Sequence, residues 1–343
     1  MTSPMEREAE EAPGRSGAQL LAIPHPLVQY GRLIATRAEP FRKLPPDGYR
    51  RGIDHFSASS IATVFAVAAK QFHDVHHRFP DLISPERYSD KIFWAKFFRV
   101  LKVPEAGNKL LTSSFIPKDA SDLVRCPPIV WHSPEARVPR AGEVEPGTYY
   151  LKANLGADRY RRITYPVTDE EAHALDIEFS GHLANGYNWW AGEWWYNVFR
   201  RELLLEQAIG TAECTTSWNF LVIAGKVELI IVYQKLGGAN FRKSYLSPDF
   251  SPLPEQDGSP PALFEIPSQK AQERMMAAAC AIGSPLRFVR VDFLLDDDDQ
   301  PWLGEVTFAP GNAVARLSDE LDVRLGSKWD LNAEMGDIAF QDL

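Results

Sequence analysis

The apolar positions of this 343-residue chain change their period as the chain proceeds. Residues 1–18 are polar and charge-rich and are expected to be disordered. Pro24, Pro26, Pro40, Pro45 and Pro46 interrupt the next stretch and leave room for one short helix near 26–36. From residue 57 the period is helical. Ile61, Phe65, Ala68, Ala69 and Phe72 form one stripe, Ser57 offers an N-cap and Pro80 a stop, so a helix is predicted over 57–79. A second is predicted over 85–100, with Phe93, Trp94, Phe97 and Phe98 as core; Lys91 and Lys96 can reach an anion, but lysines on a helix face are usually solvated.

Short units separated by turns follow over 104–147, and then strand patterns become clear. Strands are predicted at 149–153 and 160–164 around a loop containing Gly156, and a helix with a loop over 168–200. An apolar strand starting near Arg201 turns polar at Glu206, a position suited to a hinge. Two β-rich runs within 218–235 flank Ala224–Gly225 and predict a hairpin. A long Pro/Gly loop is expected over about 237–267, then a helix over 268–281 and a final hairpin over 289–312.

That last hairpin carries the densest chemistry. Strand side chains alternate faces, so Val289, Val291, Phe293 and Leu295 share one face, and Arg290 and Asp292 the other. On the returning strand Leu303, Glu305 and Thr307 share a face. A cation and a carboxylate opposite a carboxylate and a hydroxyl suit Mg²⁺ and the phosphates it carries, because hard cations take oxygen ligands. The pattern equally fits an ordinary charged hairpin face, with Arg290 paired to Asp292 or Glu305. The acidic turn at Asp296–Asp299 is expected to point away as a solvated loop.

Composition narrows the partners. A formal net charge of −9 argues against a general affinity for nucleic acid or anionic membrane. No stretch approaches the ~20 apolar residues of a membrane span, and the acidic N-terminus is not the pattern of a secretory signal. Cys126, Cys214 and Cys280 are odd in number and far apart, which fits a reducing, cytoplasmic setting and small buried side chains rather than nucleophiles.

Three further groups are candidates. Lys152 ends a strand beside the Gly156 loop, and Arg159, Arg161 and Arg162 follow, a combination that can grip phosphate or be a plain basic hairpin. His73, His76 and His77 have helical spacing for a metal, yet with no completing ligand they fit a helix C-terminus or the surface better. Trp189, Trp190, Trp194 and Trp195 suit domain packing more than stacking on a ligand. There is no Walker A loop and no recognisable Ser-His-Asp set.

The motifs of the last stretch resemble the ATP-grasp superfamily, and within it the TupA-like group associated with teichuronopeptide and other cell-surface polysaccharide synthesis. The resemblance is carried by Arg290-Val291-Asp292 and by Gly304-Glu305-Val306-Thr307-Phe308-Ala309-Pro310-Gly311, with a family-like tail at 322–326. It runs discontinuously from about 85 to 330. It implies an α+β ATP-grasp fold, two α+β subdomains gripping ATP between antiparallel sheets, with a mostly helical N-terminal region. The expected divisions are a tail at 1–18, the helical region at 19–105, a lid subdomain at 106–205 and a metal-bearing subdomain at 206–343.

The resemblance also implies roles. Lys152 would hold the α- and β-phosphates, Glu206 would lie near the adenine amino group, and Gln207 and Ala208 would pair the ring through their backbone. Arg290 would contact the transferred phosphate, Asp292 and Glu305 would bind Mg²⁺, and Thr307 stands where many members carry a metal-binding Asn. Ser217-Trp218-Asn219 replaces the common Asp-Tyr-Lys, with Glu213 a candidate for the missing ribose carboxylate and Lys235 or Arg242 for the missing base. Lys96, the candidate for a further phosphate ligand, comes one position later than usual, a departure that counts against that role. The implied activity is an ATP- and Mg²⁺-dependent carboxylate–amine ligase forming an amide through an acylphosphate. Its partners would be small carboxylates and amines, such as uronic or amino acids, or a glycan. The alternatives are a phosphotransferase and a nucleotide-binding module without turnover.

Overall fold

The computed structural model describes residues 58–99, 107–188, 191–197, 199–211, 216–237, 240–254, 257–258 and 260–331. The expected tail, the short helix near 26–36, the Ser57 cap, Trp189, Trp190, Glu213 and Cys214 lie outside them. The class is α+β, with two antiparallel sheets and helices packed on them.

Helix α1 (Ala58–His76) and helix α2 (Tyr88–Phe98) form as the helical period predicts, and meet through Phe65, Phe72, Phe93 and Phe97. The lysines of α2 are not solvated. Lys91 is 9% exposed and donates to the carbonyls of Gly326 and Trp329, at 2.8 and 2.5 Å. These carbonyls close helix α5 (Asp319–Lys328), where a lysine is a favourable cap. Lys96 is 2% exposed and belongs to the site described below.

Sheet I has the order β1-β4-β2-β3, from β1 (Ile129–Ser133), β2 (Gly147–Ala153), β3 (Tyr160–Tyr165) and β4 (Leu203–Gln207). Alternation along β2 buries Tyr149, Leu151 and Ala153 in the same core as Ala172 and Phe179 of helix α3 (Asp169–Ala184), and leaves Tyr150 and Lys152 on the other face. A reciprocal capping box between Thr168 and Glu171 starts α3. The expected boundary at 205/206 falls inside β4, and the chain passes to the second sheet beyond Gln207.

Sheet II has the order β7-β6-β5-β8-β9, from β5 (Thr216–Ile223), β6 (Lys226–Gly237), β7 (Asn240–Leu246), β8 (Phe288–Leu295) and β9 (Pro301–Thr307). Strand β7 lies where a long loop is expected. It is an edge strand with Asn240, Phe241 and Arg242 exposed, so its sequence lacks the alternation that a half-buried strand shows. Helix α4 (Gln269–Gly283), capped by Ser268, packs Met275, Ala278, Ala279 and Ile282 with Trp218, Phe220, Val222, Val289, Val291 and Phe293. That face is apolar along its length.

The opposite face of sheet II is divided. At one end Leu221, Ile223, Leu229 and Phe288 join the core under α2 and α5. Phe288 stacks on Trp329 at 4.0 Å and meets Tyr88 edge-on. Burying one such side chain contributes about 2–3 kcal/mol. Farther along the same strands the face turns polar, and the candidate site lies there.

Candidate active site

Cross-strand register builds the site. Tyr245, Ile231, Asn219, Asp292 and Glu305 stand in one row across five strands, and Leu221, Arg290 and Thr307 in the next. Arg290 donates from Nε to Asp292 Oδ1 at 2.7 Å and from Nη2 to Asp292 Oδ2 at 2.5 Å and Thr307 Oγ1 at 3.2 Å. The expected grouping of Arg290, Asp292, Glu305 and Thr307 is thus present. Leu303 is not on that face. A bulge at Gly304 sets Phe293 opposite Leu303 while Asp292 stays opposite Glu305, so Leu303 turns into the α4 core.

Asp292 is 6% exposed. Burial pushes its carboxyl above the ordinary value, Glu305 pushes the same way, and Arg290 opposes both. Burial also works against the Arg290 charge, but Asp292 and then Glu305 outweigh it and raise the guanidinium. Two like charges directly opposite on a ladder repel, and a hard cation relieves that repulsion. Among the described residues no group of three or more His, Cys, Asp or Glu can hold a metal. Two carboxylates and a hydroxyl still fit Mg²⁺, which usually keeps several waters and takes one or two carboxylates with substrate phosphate.

Lys109 and Glu193 join the site without a signal in the sequence, and Lys96, a lysine the sequence allows to reach an anion, joins them. Lys109, at the start of a 3-10 helix, donates to the Gly156 carbonyl at 2.5 Å and lies 3.4 Å from Glu305 Oε1. Glu193 is buried, accepts from Asn188 Nδ2 at 2.7 Å and lies within the field of Lys96, Glu305 and Arg290; burial raises its carboxyl. Lys96 donates to the carbonyls of Ala191 and Asn312 at 3.0 Å and to Asn312 Oδ1 at 2.8 Å. Burial pulls its ammonium below the ordinary lysine value, and Glu193 works against that.

The β2–β3 loop reaches across to sheet II. Gly156 has φ +73° and a Cβ there would overlap the Tyr187 ring, so glycine is required. Asp158 takes a hydrogen bond from Lys235 Nζ of β6 at 2.7 Å. Lys235 is thereby engaged with the loop, while Arg242 donates to the carbonyl of Leu263. At the Ser217 and Asn219 departure the two side chains bond each other, Ser217 Oγ to Asn219 Oδ1 at 2.5 Å.

On sheet I Lys152 and Glu206 form an ion pair on one face. Glu206 is buried at the end of β4 and Gln207 is exposed. The backbone N–H of Gln207 donates to Pro128 O at 2.9 Å and that of Ala208 to Thr148 O at 3.0 Å, so both donors are engaged by the protein itself. Burial, with Glu206 nearby, pushes the Cys126 thiol up to about 12, far from the thiolate a nucleophile needs. His76 bonds the Ala313 carbonyl at 2.9 Å and His73 lies against Phe79, consistent with roles in packing rather than metal binding. The acidic turn is more than a solvated loop: Asp297 accepts from Thr211 N at 3.1 Å, Asp299 from Ser268 N at 2.7 Å and Asp296 from Trp302 Nε1 at 2.9 Å.

Comparison with known proteins follows this geometry. The family model described as TupA-like ATPgrasp matches residues 179–329, which includes β8, β9 and Glu206 but not Lys152 or Lys109. No curated protein sequence matches the chain. Among solved structures it is similar to the ATP-grasp ligase PsnB complexed with a minimal precursor, at 16% identity, 59% of this chain, 52% of that one and TM-score 0.34. The D-alanine-D-alanine ligase from Helicobacter pylori gives 16% identity, 71% and 67% coverage and TM-score 0.38. The L-amino acid ligase from Bacillus licheniformis gives 15%, 73% and 56%, and 0.40. The chain spans about half the length of the first of these, 52%. The family match, not these superpositions, bears on the assignment: residues 179–329 match the model of the TupA-like ATP-grasp family.

Proposed function

We propose that the chain is an ATP- and Mg²⁺-dependent ligase that joins a carboxylate to an amine through an acylphosphate. The observation that carries this reading is the opposition of Asp292 and Glu305 across β8 and β9, flanked by Arg290, Thr307 and Lys109. The donor chemistry of that set suits a hard cation, and the family match over the same strands supports a nucleotide as its partner.

Asp292 and Glu305 would hold Mg²⁺, with Thr307 beside them, and the bound ion would offset phosphate charge. Arg290 opposes the effect of burial on the Asp292 carboxyl, and its Nη1, which makes no hydrogen bond among the described residues, is the donor for a phosphoryl oxygen. Lys152 supplies a second positive charge from sheet I, positioned by Glu206. The β2–β3 loop, tied to sheet II by Lys109 and Lys235, excludes water from a carboxylate activated as its acylphosphate. An amine then attacks the carbonyl carbon and phosphate leaves, which needs no nucleophilic side chain.

The substrates this reading favours are an amino acid amine and a uronic-acid or amino-acid carboxylate, in cell-surface polysaccharide or peptide-conjugate synthesis in the cytoplasm. Nucleotide binding without turnover is the second reading, favoured by the Ser217–Asn219 hydrogen bond where the family carries an acid and a base. A screen of amino acids against uronic acids, read by ADP release and product mass, separates them. A ligase releases ADP only when both carboxylate and amine are present and gives a product lighter than their sum by one water. ADP release with carboxylate or sugar alone and a stable phosphorylated product indicates a phosphotransferase. Binding of MgATP with no ADP under any acceptor pair indicates the module.

A further inference from the structure

Lys109 bridges the two sheets. Its ammonium donates to the carbonyl of Gly156, in the loop that follows β2, and lies 3.4 Å from Glu305 Oε1 on β9. Its side chain is 17% exposed and that of Glu305 28%, so both are partly open to solvent. Its main chain is fixed independently. Lys109 N–H donates to Asn154 O at 2.9 Å, and the Asn108 side chain accepts from Leu110 N and from Asn154 Nδ2, both at 3.1 Å. The fully buried Asn154 is tied in turn to Glu202 and Arg200, so the lysine projects from an anchored segment.

An ammonium is a compact point charge with three rotatable donors. It can neutralise a carboxylate, but it competes with a divalent cation for the same oxygens. A phosphate carried on that cation would bring new acceptors to the donor set that the cation displaces.

Resting on the reading of this cleft as a MgATP site, we infer that Lys109 is a phosphate-contacting residue. A cation at Glu305 displaces its ammonium, and the released donor takes a phosphate oxygen while remaining bound to the Gly156 carbonyl. Lys109 thereby couples cation loading on β9 to the position of the β2–β3 loop. A purely structural lysine would do neither.

The test uses the full chain with Lys109→Gln and Lys109→Arg, circular dichroism as the check on folding, and two ligand titrations. Mn²⁺ alone, followed by electron paramagnetic resonance, reports the carboxylates. The Mg²⁺ complex of a non-hydrolysable ATP analogue reports the phosphate contact. Removing a partly buried competing ion pair should tighten Mn²⁺ in Lys109→Gln by about fivefold or more. Losing a hydrogen bond to a charged group should weaken the nucleotide complex by about 10- to 100-fold, with Lys109→Arg recovering most of it. Opposite signs in one variant are the expected result. Parallel weakening of both ligands, or an unchanged nucleotide affinity in Lys109→Gln, overturns the inference. Glu305→Gln run alongside separates the two levels: loss of Mn²⁺ there with wild-type behaviour in Lys109→Gln removes Lys109 alone. A wild-type chain that binds neither probe removes both readings.

Discussion

Two acidic clusters in this molecule, each around a buried aspartate, make opposite use of their charge. At the start of α2, Asp90 accepts from Arg78 Nη1 at 2.6 Å and from Asp81 N at 3.2 Å. Asp322 of α5 accepts from Ser89 N at 2.7 Å and Ser89 Oγ at 2.8 Å, with Arg78 and Arg87 within 3.8 Å. Backbone and hydroxyl donors satisfy these carboxylates, and the result is a staple between two helices. On sheet II Asp292 has Arg290, but it also faces Glu305 across the ladder. Burial alone therefore does not mark function. What differs is that backbone and hydroxyl donors of the fold add to the arginines in the helix cluster. On sheet II, by contrast, two carboxylates stand directly opposite each other with Arg290 and Lys109 to offset them, an arrangement a cation would stabilise.

The largest effects are expected at the opposed pair. Asp292→Asn and Glu305→Gln should each lower Mg²⁺-dependent ADP release by about 10³-fold, in the range of lost transition-state charge stabilisation. The melting temperature of Glu305→Gln should hold or rise, because repulsion is relieved, whereas Asp292→Asn leaves Arg290 without its bidentate partner and should melt lower. A fall of several degrees in Glu305→Gln would put this cluster in the structural class. Asp322→Ala should do the reverse, costing about 3–5 kcal/mol in urea unfolding because Arg78 and Ser89 lose a buried partner. Nucleotide affinity measured on the folded fraction should not change. Lys152→Ala should weaken nucleotide binding by about 10- to 100-fold, measured by calorimetry, as expected for one charged hydrogen bond. Smallest of all, Lys235→Met removes a largely exposed contact to Asp158 and should cost no more than about 1 kcal/mol in nucleotide affinity.

Local periodicity carried much of the fold into the sequence. Helices α1, α2 and α4 and the hairpins β2–β3, β5–β6 and β8–β9 each follow a period or turn signal that the chain itself displays. The site was legible where its residues share a hairpin, since two-residue alternation alone joins Arg290 to Asp292 and Glu305 to Thr307. Leu303 was misplaced because Gly304 adds one residue to the ladder, and glycine does not announce whether it bulges. Strand β7 was hidden by the polar residues that an edge strand exposes. Lys96 was no more than one of two lysines able to reach an anion, and Lys109 was invisible, for another reason. Their partners are 95 to 216 and 47 to 196 residues away, and nothing in their own neighbourhood distinguishes them from solvated lysines.

The most direct measurement is a calorimetric titration of a non-hydrolysable ATP analogue into wild-type protein and Glu305→Gln, each with Mg²⁺ and with EDTA. Binding by the wild type that depends on Mg²⁺, and loses that dependence in Glu305→Gln, is the predicted result. Equal binding with and without Mg²⁺, or full Mg²⁺ dependence retained in Glu305→Gln, would contradict the assignment of Asp292 and Glu305 as the pair that holds the cation.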